Sequence, residues 1–185
     1  MAKVLVPLAT GFEEIEAVTV IDVLRRGGVE VVSAAIGDTL AVVGAHGMEV
    51  KADRLFADAA KDEYDAIVLP GGGDGTENLR RSDAVLERIR AQKAAGRLNC
   101  AICAAPLVLA EAEVIDPGIH VTCYPSVSLD MDRPVAAVPV IADRDIITGQ
   151  APGAAMLFAL VVLQSLVGER QARKVARGLV TDVME

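Results

Sequence analysis

Tryptophan is absent from this 185-residue chain, aromatic residues make up 3% of it, and only three cysteines and two histidines occur. So few aromatics offer no platform on which bases could stack. Charge points the same way: 18 Lys and Arg against 26 Asp and Glu give −8. No basic stripe is visible, so no nucleic-acid partner is expected. Three cysteines do not make a disulfide framework. Met1-Ala2-Lys3-Val4-Leu5-Val6 runs into Pro7 and then Glu13-Glu14 without the pattern of a signal peptide. A cytoplasmic protein with reduced thiols is therefore expected. Long hydrophobic runs are also scarce. Ile146 to Gly168 carries no charge, but Gly149, Pro152 and Gly153 interrupt it. Its unbroken apolar part, Ala154 to Leu163, is too short to span a bilayer and reads as a buried helix. No membrane partner is expected.

Small aliphatic residues are abundant. The chain is 52% hydrophobic, so its core must be built from Ala, Val, Leu and Ile. Lys3–Leu8, Val29–Ala35, Ala66–Leu69 and Leu98–Ile102 read as strands, and so do Val121–Tyr124, Val138–Ala142 and Asp145–Thr148, the last two as a hairpin. Ala41–Val43 and Met48–Val50 predict a small hairpin around Gly44–Gly47. Glu13–Arg26 predicts a helix with Ile15, Val18, Val20, Ile21 and Leu24 as its apolar positions, closed by Arg25-Arg26 and Gly27-Gly28. Further helices are expected from Ser82 as cap to Ala95, from Ala104 to Ala112, from Ala154 to Val167 and from Gln171 to Val180. This alternation predicts an α/β fold, with a mostly parallel sheet covered by helices on both faces. Sites in such sheets lie beyond the carboxyl ends of the strands. With no repeat, linker or composition shift, residues 1–185 read as one domain.

One strand runs directly into a helix through Cys103, in Leu98-Asn99-Cys100-Ala101-Ile102-Cys103-Ala104-Ala105-Pro106. A side chain at such a turn projects above the sheet, and its neighbours must be small, as Ala101, Ala104 and Ala105 are. Pro106 suits a first helical turn. Free helix N–H groups lower a thiol pKa, so a Cys103 thiolate at neutral pH is expected. Cys100 lies inside the strand, roughly 10 Å from Cys103 at Cα, too far for a disulfide. Without a second Cys pair no metal is expected. Cys123 reads as core, with a later disulfide to Cys103 left open.

Leu69-Pro70-Gly71-Gly72-Gly73-Asp74-Gly75 places glycines just after a strand, where backbone N–H groups can bind an anion. It lacks the Gly-Lys-Ser/Thr of a nucleotide loop. Beside a nucleophilic thiol it predicts an oxyanion hole. Gly11-Phe12-Glu13-Glu14-Ile15-Glu16 follows the first strand. Glu13 and Glu14 read as partners of the helix dipole. Glu16 shares a helix side with apolar Val20 and so points inward. Next to a thiolate its pKa rises and it becomes a proton donor to sulfur. His46, in the small hairpin, and His120, before a strand, read as surface residues.

Four segments, in this order, resemble the ThiJ/PfpI (DJ-one) superfamily, closest to its parkinsonism-associated deglycase branch. They are Gly11-Phe12-Glu13-Glu14-Ile15-Glu16, Tyr64-Asp65-Ala66-Ile67-Val68-Leu69-Pro70-Gly71-Gly72, Ala101-Ile102-Cys103-Ala104-Ala105-Pro106 and Ala151-Pro152-Gly153. The resemblance implies a flavodoxin-like three-layer sandwich and a homodimer, with the first helix and small hairpin near the interface. It implies that Cys103 is an oxidisable nucleophile and Glu16 its hydrogen-bonded acid. Backbone amides at Gly71, Gly72 and the cysteine turn, including Ala104, would stabilise oxyanions. Arg26 and His46 match basic positions near the partner's pocket, His46 standing where Arg is common. Ala104 replaces the His that follows cysteine in protease-like branches, so a Cys-His-acid triad is not available. Tyr124-Pro125 replaces a His-Pro pair, and Tyr124 is expected to donate a hydrogen bond to substrate.

The activity implied is that of a cysteine-dependent, glutathione-independent glyoxalase or deglycase. Its substrates would be methylglyoxal-type 2-oxoaldehydes or their early adducts, its products 2-hydroxy acids, and it would need no cofactor. The alternative is a redox-sensing or holdase-like stress protein whose Cys103 is oxidised to sulfinate without turnover.

Overall fold

A strand buried on both faces needs apolar residues at consecutive positions, and β1 (Lys3–Leu8) has them. In the structure, a computed structural model that describes residues 1–183, the other strands are β2 (Glu30–Ala35), β3 (Ala41–Val43), β4 (Glu49–Lys51), β5 (Arg54–Leu55), β6 (Ala66–Leu69), β7 (Leu98–Ile102), β8 (Val140–Asp143) and β9 (Ile146–Gly149). The helices are α1 (Glu14–Arg26), α2 (Phe56–Ala59), α3 (Gly73–Arg80), α4 (Asp83–Ala94), α5 (Pro106–Glu111), α6 (Ala155–Val167) and α7 (Glu169–Gly178). Seven strands form one sheet in the order β5-β2-β1-β6-β7-β9-β8, parallel except for the antiparallel β8–β9 pair, and β3 with β4 make a separate hairpin.

Alternation within each strand divides the core into two layers. Val4, Val6 and Leu8 of β1, Val68 of β6 and Cys100 and Ile102 of β7 face α1, α6 and α7. Leu5, Ile67, Leu69 and Ala101 face the other way, against α3, α4 and α5. This is the flavodoxin-like three-layer sandwich. The uncharged α6 packs on α1, with Phe158, Leu160, Val162 and Leu163 fully buried. Among the described residues no helix is long and apolar enough to cross a membrane.

The structure departs from the sequence reading at several places. Val121–Tyr124 is extended but not a strand. It makes one isolated bridge, Val121 to Val135, while the Thr122 N–H donates to Thr148 Oγ1 at 2.9 Å and the Tyr124 N–H to the Cys103 carbonyl at 2.8 Å. Ser82 is the residue before α4, yet its side chain makes no capping hydrogen bond. The last helix is Glu169–Gly178, starting two residues before Gln171. Ile15 and Val18 lie on the outer side of α1, 57% and 47% exposed, so the buried side of that helix is narrower than its apolar pattern. Helix α3 was not foreseen, because two glycines and an aspartate in its first turn have poor helix propensity. Contact with the β1–α1 turn overrides that propensity: the Gly75 N–H donates to the Gly11 carbonyl at 3.1 Å, and a Cβ on Gly75 would sit 2.7 Å from Phe12 Cα.

One buried group is at odds with its layer. Asn99 of β7 is wholly buried, and neither its side-chain oxygen nor its nitrogen has a hydrogen-bond partner. Leaving such groups unmade costs about 1–3 kcal/mol each. Asn99→Val should therefore raise the thermal midpoint by a few degrees in calorimetry. A lowered midpoint would mean that the amide is satisfied in solution.

Candidate active site

The turns after β1, β6 and β7 lie side by side at the carboxyl edge of the sheet, because these strands are immediate neighbours. Cys103 sits in the β7–α5 turn with φ +64°, a left-handed conformation costly for a side-chain-bearing residue. Its N–H donates to the Gly149 carbonyl at 3.0 Å, and the Ala105 N–H turns back to the Ile102 carbonyl at 3.0 Å. The chain thus leaves the sheet abruptly and lifts the sulfur above it, as expected of a nucleophile elbow. The residue is 8% exposed.

Glu16 meets it from the first turn of α1. The residue has no exposed surface. Its Oε2 accepts a 2.7 Å hydrogen bond from the Gly71 N–H, and Oε1 has no other partner of good geometry. The Cys103 thiol is within reach to share a proton with this carboxyl. Gly71 is the point of contact: a Cβ there would lie 2.7 Å from Cys103 Cβ and 2.8 Å from Glu16 Oε2. Gly72 has φ +91°, and a Cβ on it would lie 2.2 Å from the Gly11 carbonyl oxygen. Both positions therefore require glycine.

The Gly71 amide differs from its expected part: committed to Glu16, it is not free to hold an oxyanion. The N–H groups of Gly72 and Ala104 are the ones that favour the Cys103 anion. The N–H groups that favour a Cys103 thiolate at neutral pH are opposed by two other influences. Burial, then the adjoining Glu16 carboxylate, pushes the thiol up to about 12. Burial pushes Glu16 up to about 7, against the opposing effects of the Gly71 N–H and of Cys103. Above about 7 the pair holds one proton for two sites, and the thiolate is reached when that proton moves from sulfur to Glu16.

The other expected residues are placed less centrally. Tyr124 is 42% exposed and joins the site through its backbone N–H to the Cys103 carbonyl; among the described residues its hydroxyl makes no hydrogen bond. Arg26 ends α1, roughly 15 Å along the helix from Glu16, and pairs with Asp22 at 2.7 Å. Within the chain it is not brought to Cys103. His46 is exposed and lies against Glu14, with Nδ1 to Oε2 at 2.9 Å. Glu14 is not a solvent-exposed dipole partner. It is buried, and its Oε1 accepts from the main-chain N–H groups of His46 at 2.8 Å and Met48 at 3.4 Å. Sequence spacing gives no sign of this link between α1 and the hairpin. His120 is a surface residue, bonded to Asp143 at 3.0 Å. All three cysteines are free, with Cys100 and Cys123 buried.

The raised Glu16 pKa couples the site to stability. Its folded value, about 7, lies above its ordinary 4.5, so between these values the folded chain binds more protons than the unfolded one. The stabilisation is complete below about 4.5 and is lost as pH rises to about 7, some ~3 kcal/mol in all. Urea unfolding of wild type and Glu16→Gln across this range should show the wild type losing that much relative to the variant. Parallel curves would mean that folding leaves the Glu16 pKa unraised.

The DJ-1/PfpI family model matches residues 2–165. Protein dj-1beta of Drosophila melanogaster is 38% identical over 178 residues, 95% of each chain. Its crystal structure superposes with a TM-score of 0.94 at 37% identity, covering 97% of this chain and 98% of that one. Protein DJ-1 homolog B of Arabidopsis thaliana is 37% identical over 96% of this chain, which spans only 41% of the length of that relative. The glutathione-independent glyoxalase DJR-1.2 of Caenorhabditis elegans is 33% identical over 90% of this chain and 89% of its own. With the cysteine elbow, its buried carboxyl and the glycine turn in their places, this chain belongs to the DJ-1/PfpI family.

Proposed function

We propose that the chain is a cysteine-dependent, glutathione-independent glyoxalase or deglycase, converting methylglyoxal-type 2-oxoaldehydes or their early adducts to 2-hydroxy acids. The observation that carries this reading is the Cys103–Glu16 pair, a nucleophile and a proton carrier held against each other by Gly71. The relative named as a glutathione-independent glyoxalase supports it.

The chemistry needs only these groups. Sulfur attacks the aldehyde carbon as its proton passes to Glu16, and the resulting oxyanion lies near the Gly72 and Ala104 N–H groups. That oxyanion takes the proton, giving a neutral hemithioacetal. The Glu16 carboxylate then removes the hydrogen from the former aldehyde carbon, giving an enediolate; the hydroxyl proton on that carbon passes to the neighbouring oxygen, and Glu16 returns its proton to the neighbouring carbon. The aldehyde carbon has been oxidised and the ketone carbon reduced, leaving a 2-hydroxy thioester on Cys103. Water hydrolyses it and restores the thiol. Methylglyoxal plus water gives lactate, with no external oxidant. Tyr124 borders this space and contributes, at most, a hydrogen bond to substrate.

Lactate formed from methylglyoxal without glutathione, measured on freshly reduced protein, tests the scheme. Many turnovers per chain are expected, falling at least ~10²-fold in Cys103→Ser and in Glu16→Gln. A wild type that forms none, yet consumes two equivalents of peroxide at Cys103 on the way to the sulfinate, would favour the redox-sensing alternative.

We also read residues 1–185 as one domain that works in the cytoplasm as a homodimer. Ile15 and Val18 of α1 and Val43 and Met48 of the hairpin are exposed apolar side chains, available to a second copy. Sedimentation should give twice the chain mass for wild type and half of that for Val18→Glu. A monomeric wild type would refute the assembly.

A further inference from the structure

Three potential ligand atoms converge outside the Cys103 site. Glu13, Glu14 and His46 each offer one ligand atom, and these lie within 4.8 Å of one another. His46 Nδ1 is 2.9 Å from Glu14 Oε2 and 3.7 Å from Glu13 Oε1. Ligands around a tetrahedral zinc, with bonds near 2.0–2.2 Å, stand about 3.3 Å apart, and the observed separations bracket that value.

Support for the donors is already built. The Glu14 side chain is 6% exposed, and its Oε1 is pinned by the His46 and Met48 N–H groups, while Oε2 faces His46 Nδ1, whose hydrogen bond a metal would replace. Outer hydrogen bonds of this kind fix the orientation of a ligating carboxylate. A side chain on Gly44 would collide with the Glu14 carboxyl, at 2.4 Å, so the hairpin is shaped around it. The Glu13 side chain is only 12% exposed, and among the described residues His46 is its one ion-pair partner. Its own N–H is held at 2.9 Å by the Gly71 carbonyl. A divalent cation between this carboxylate, Glu14 and the imidazole would join all three.

We propose that Glu13, Glu14 and His46 bind a divalent cation of the zinc class, joining the first turn of α1 to the hairpin. Two carboxylates and a neutral imidazole balance the ion's charge, and this donor mixture suits zinc better than the all-oxygen preference of calcium or magnesium. Three protein ligands leave a position for water, as in sites that are not purely structural. The site shares no ligand with the Cys103–Glu16 pair, so it stands or falls independently of the proposed activity.

Zinc titrated calorimetrically into the reduced full chain tests the site, with Cys103→Ser included because a thiol also binds zinc. Cys103→Ser should bind one zinc per chain. In that background His46→Asn and Glu13→Gln should weaken binding at least ~10-fold. Zinc should raise the melting temperature of Cys103→Ser and leave Cys103→Ser/His46→Asn unmoved. His46→Asn keeps the main-chain N–H that bonds Glu14, and circular dichroism checks that it folds. No zinc bound by Cys103→Ser, or equal affinity in the His46 and Glu13 variants, would overturn the assignment.

Discussion

Everything at the carboxyl edge of this sheet is arranged around one buried carboxyl. Glu16 has no exposed surface and takes its only well-formed hydrogen bond from the Gly71 N–H. For that bond to form, the turn after β6 must lie against both the first turn of α1 and the cysteine turn after β7. No side chain fits at Gly71 or Gly72, where the three segments meet. The closeness of Gly75 to Phe12 and Gly11 repeats the constraint one layer out. The strand order supplies the rest: β1, β6 and β7 are adjacent, so their following turns adjoin as well. Glycine content, strand order and the inward face of α1 thus answer to a single contact.

That contact works against stability in two ways. The left-handed conformation of Cys103 costs about 1–3 kcal/mol, and ionising Glu16 in its buried position costs about the same again. Such terms are a sizeable part of a typical net stability of about 5–15 kcal/mol. The rest of the molecule offsets them by plain means. Both faces of the sheet are covered, and α6 buries an almost continuous aliphatic surface against α1. The site is strained where chemistry needs a displaced sulfur and a mobile proton, and the layers beneath it are ordinary.

The legible parts of the sequence were those governed by local pattern. Strands β1 and β6 announced themselves as continuous apolar runs, and Cys103 stood out because a strand met a helix at it among small residues. Glu16 was traceable through helical spacing, since it shares a side with Val20. What escaped reading was set by contacts between distant segments. Helix α3 begins in glycines that disfavour helix and forms against the β1–α1 turn. Val121–Tyr124 has the composition of a strand but lies where Thr148 and Cys103 already claim its amides. For the ionisation of Cys103, helix N–H groups are visible in a sequence, while the opposing burial and facing carboxylate are not. Gly71 likewise serves the acid rather than the oxyanion, a distinction of a few ångströms.

Three glutamates in four consecutive positions show how far environment outweighs residue type. Glu16 faces the thiol and is pushed up by burial. Glu14, equally buried, is held low by donors from the hairpin, His46 first among them. Glu13 lies between the two, its charge felt by both Glu16 and His46. The residue opposite them is decisive. An arginine at position 46 could only donate, closing the pair with Glu14 as a fixed ion pair. An imidazole has a lone pair on one nitrogen when neutral, so it can stand beside Glu13 and Glu14 as a third ligand. Histidine rather than a permanent cation at position 46 therefore sets what the rim of the site can hold, while the Cys103–Glu16 contact is pinned from the other side by Gly71.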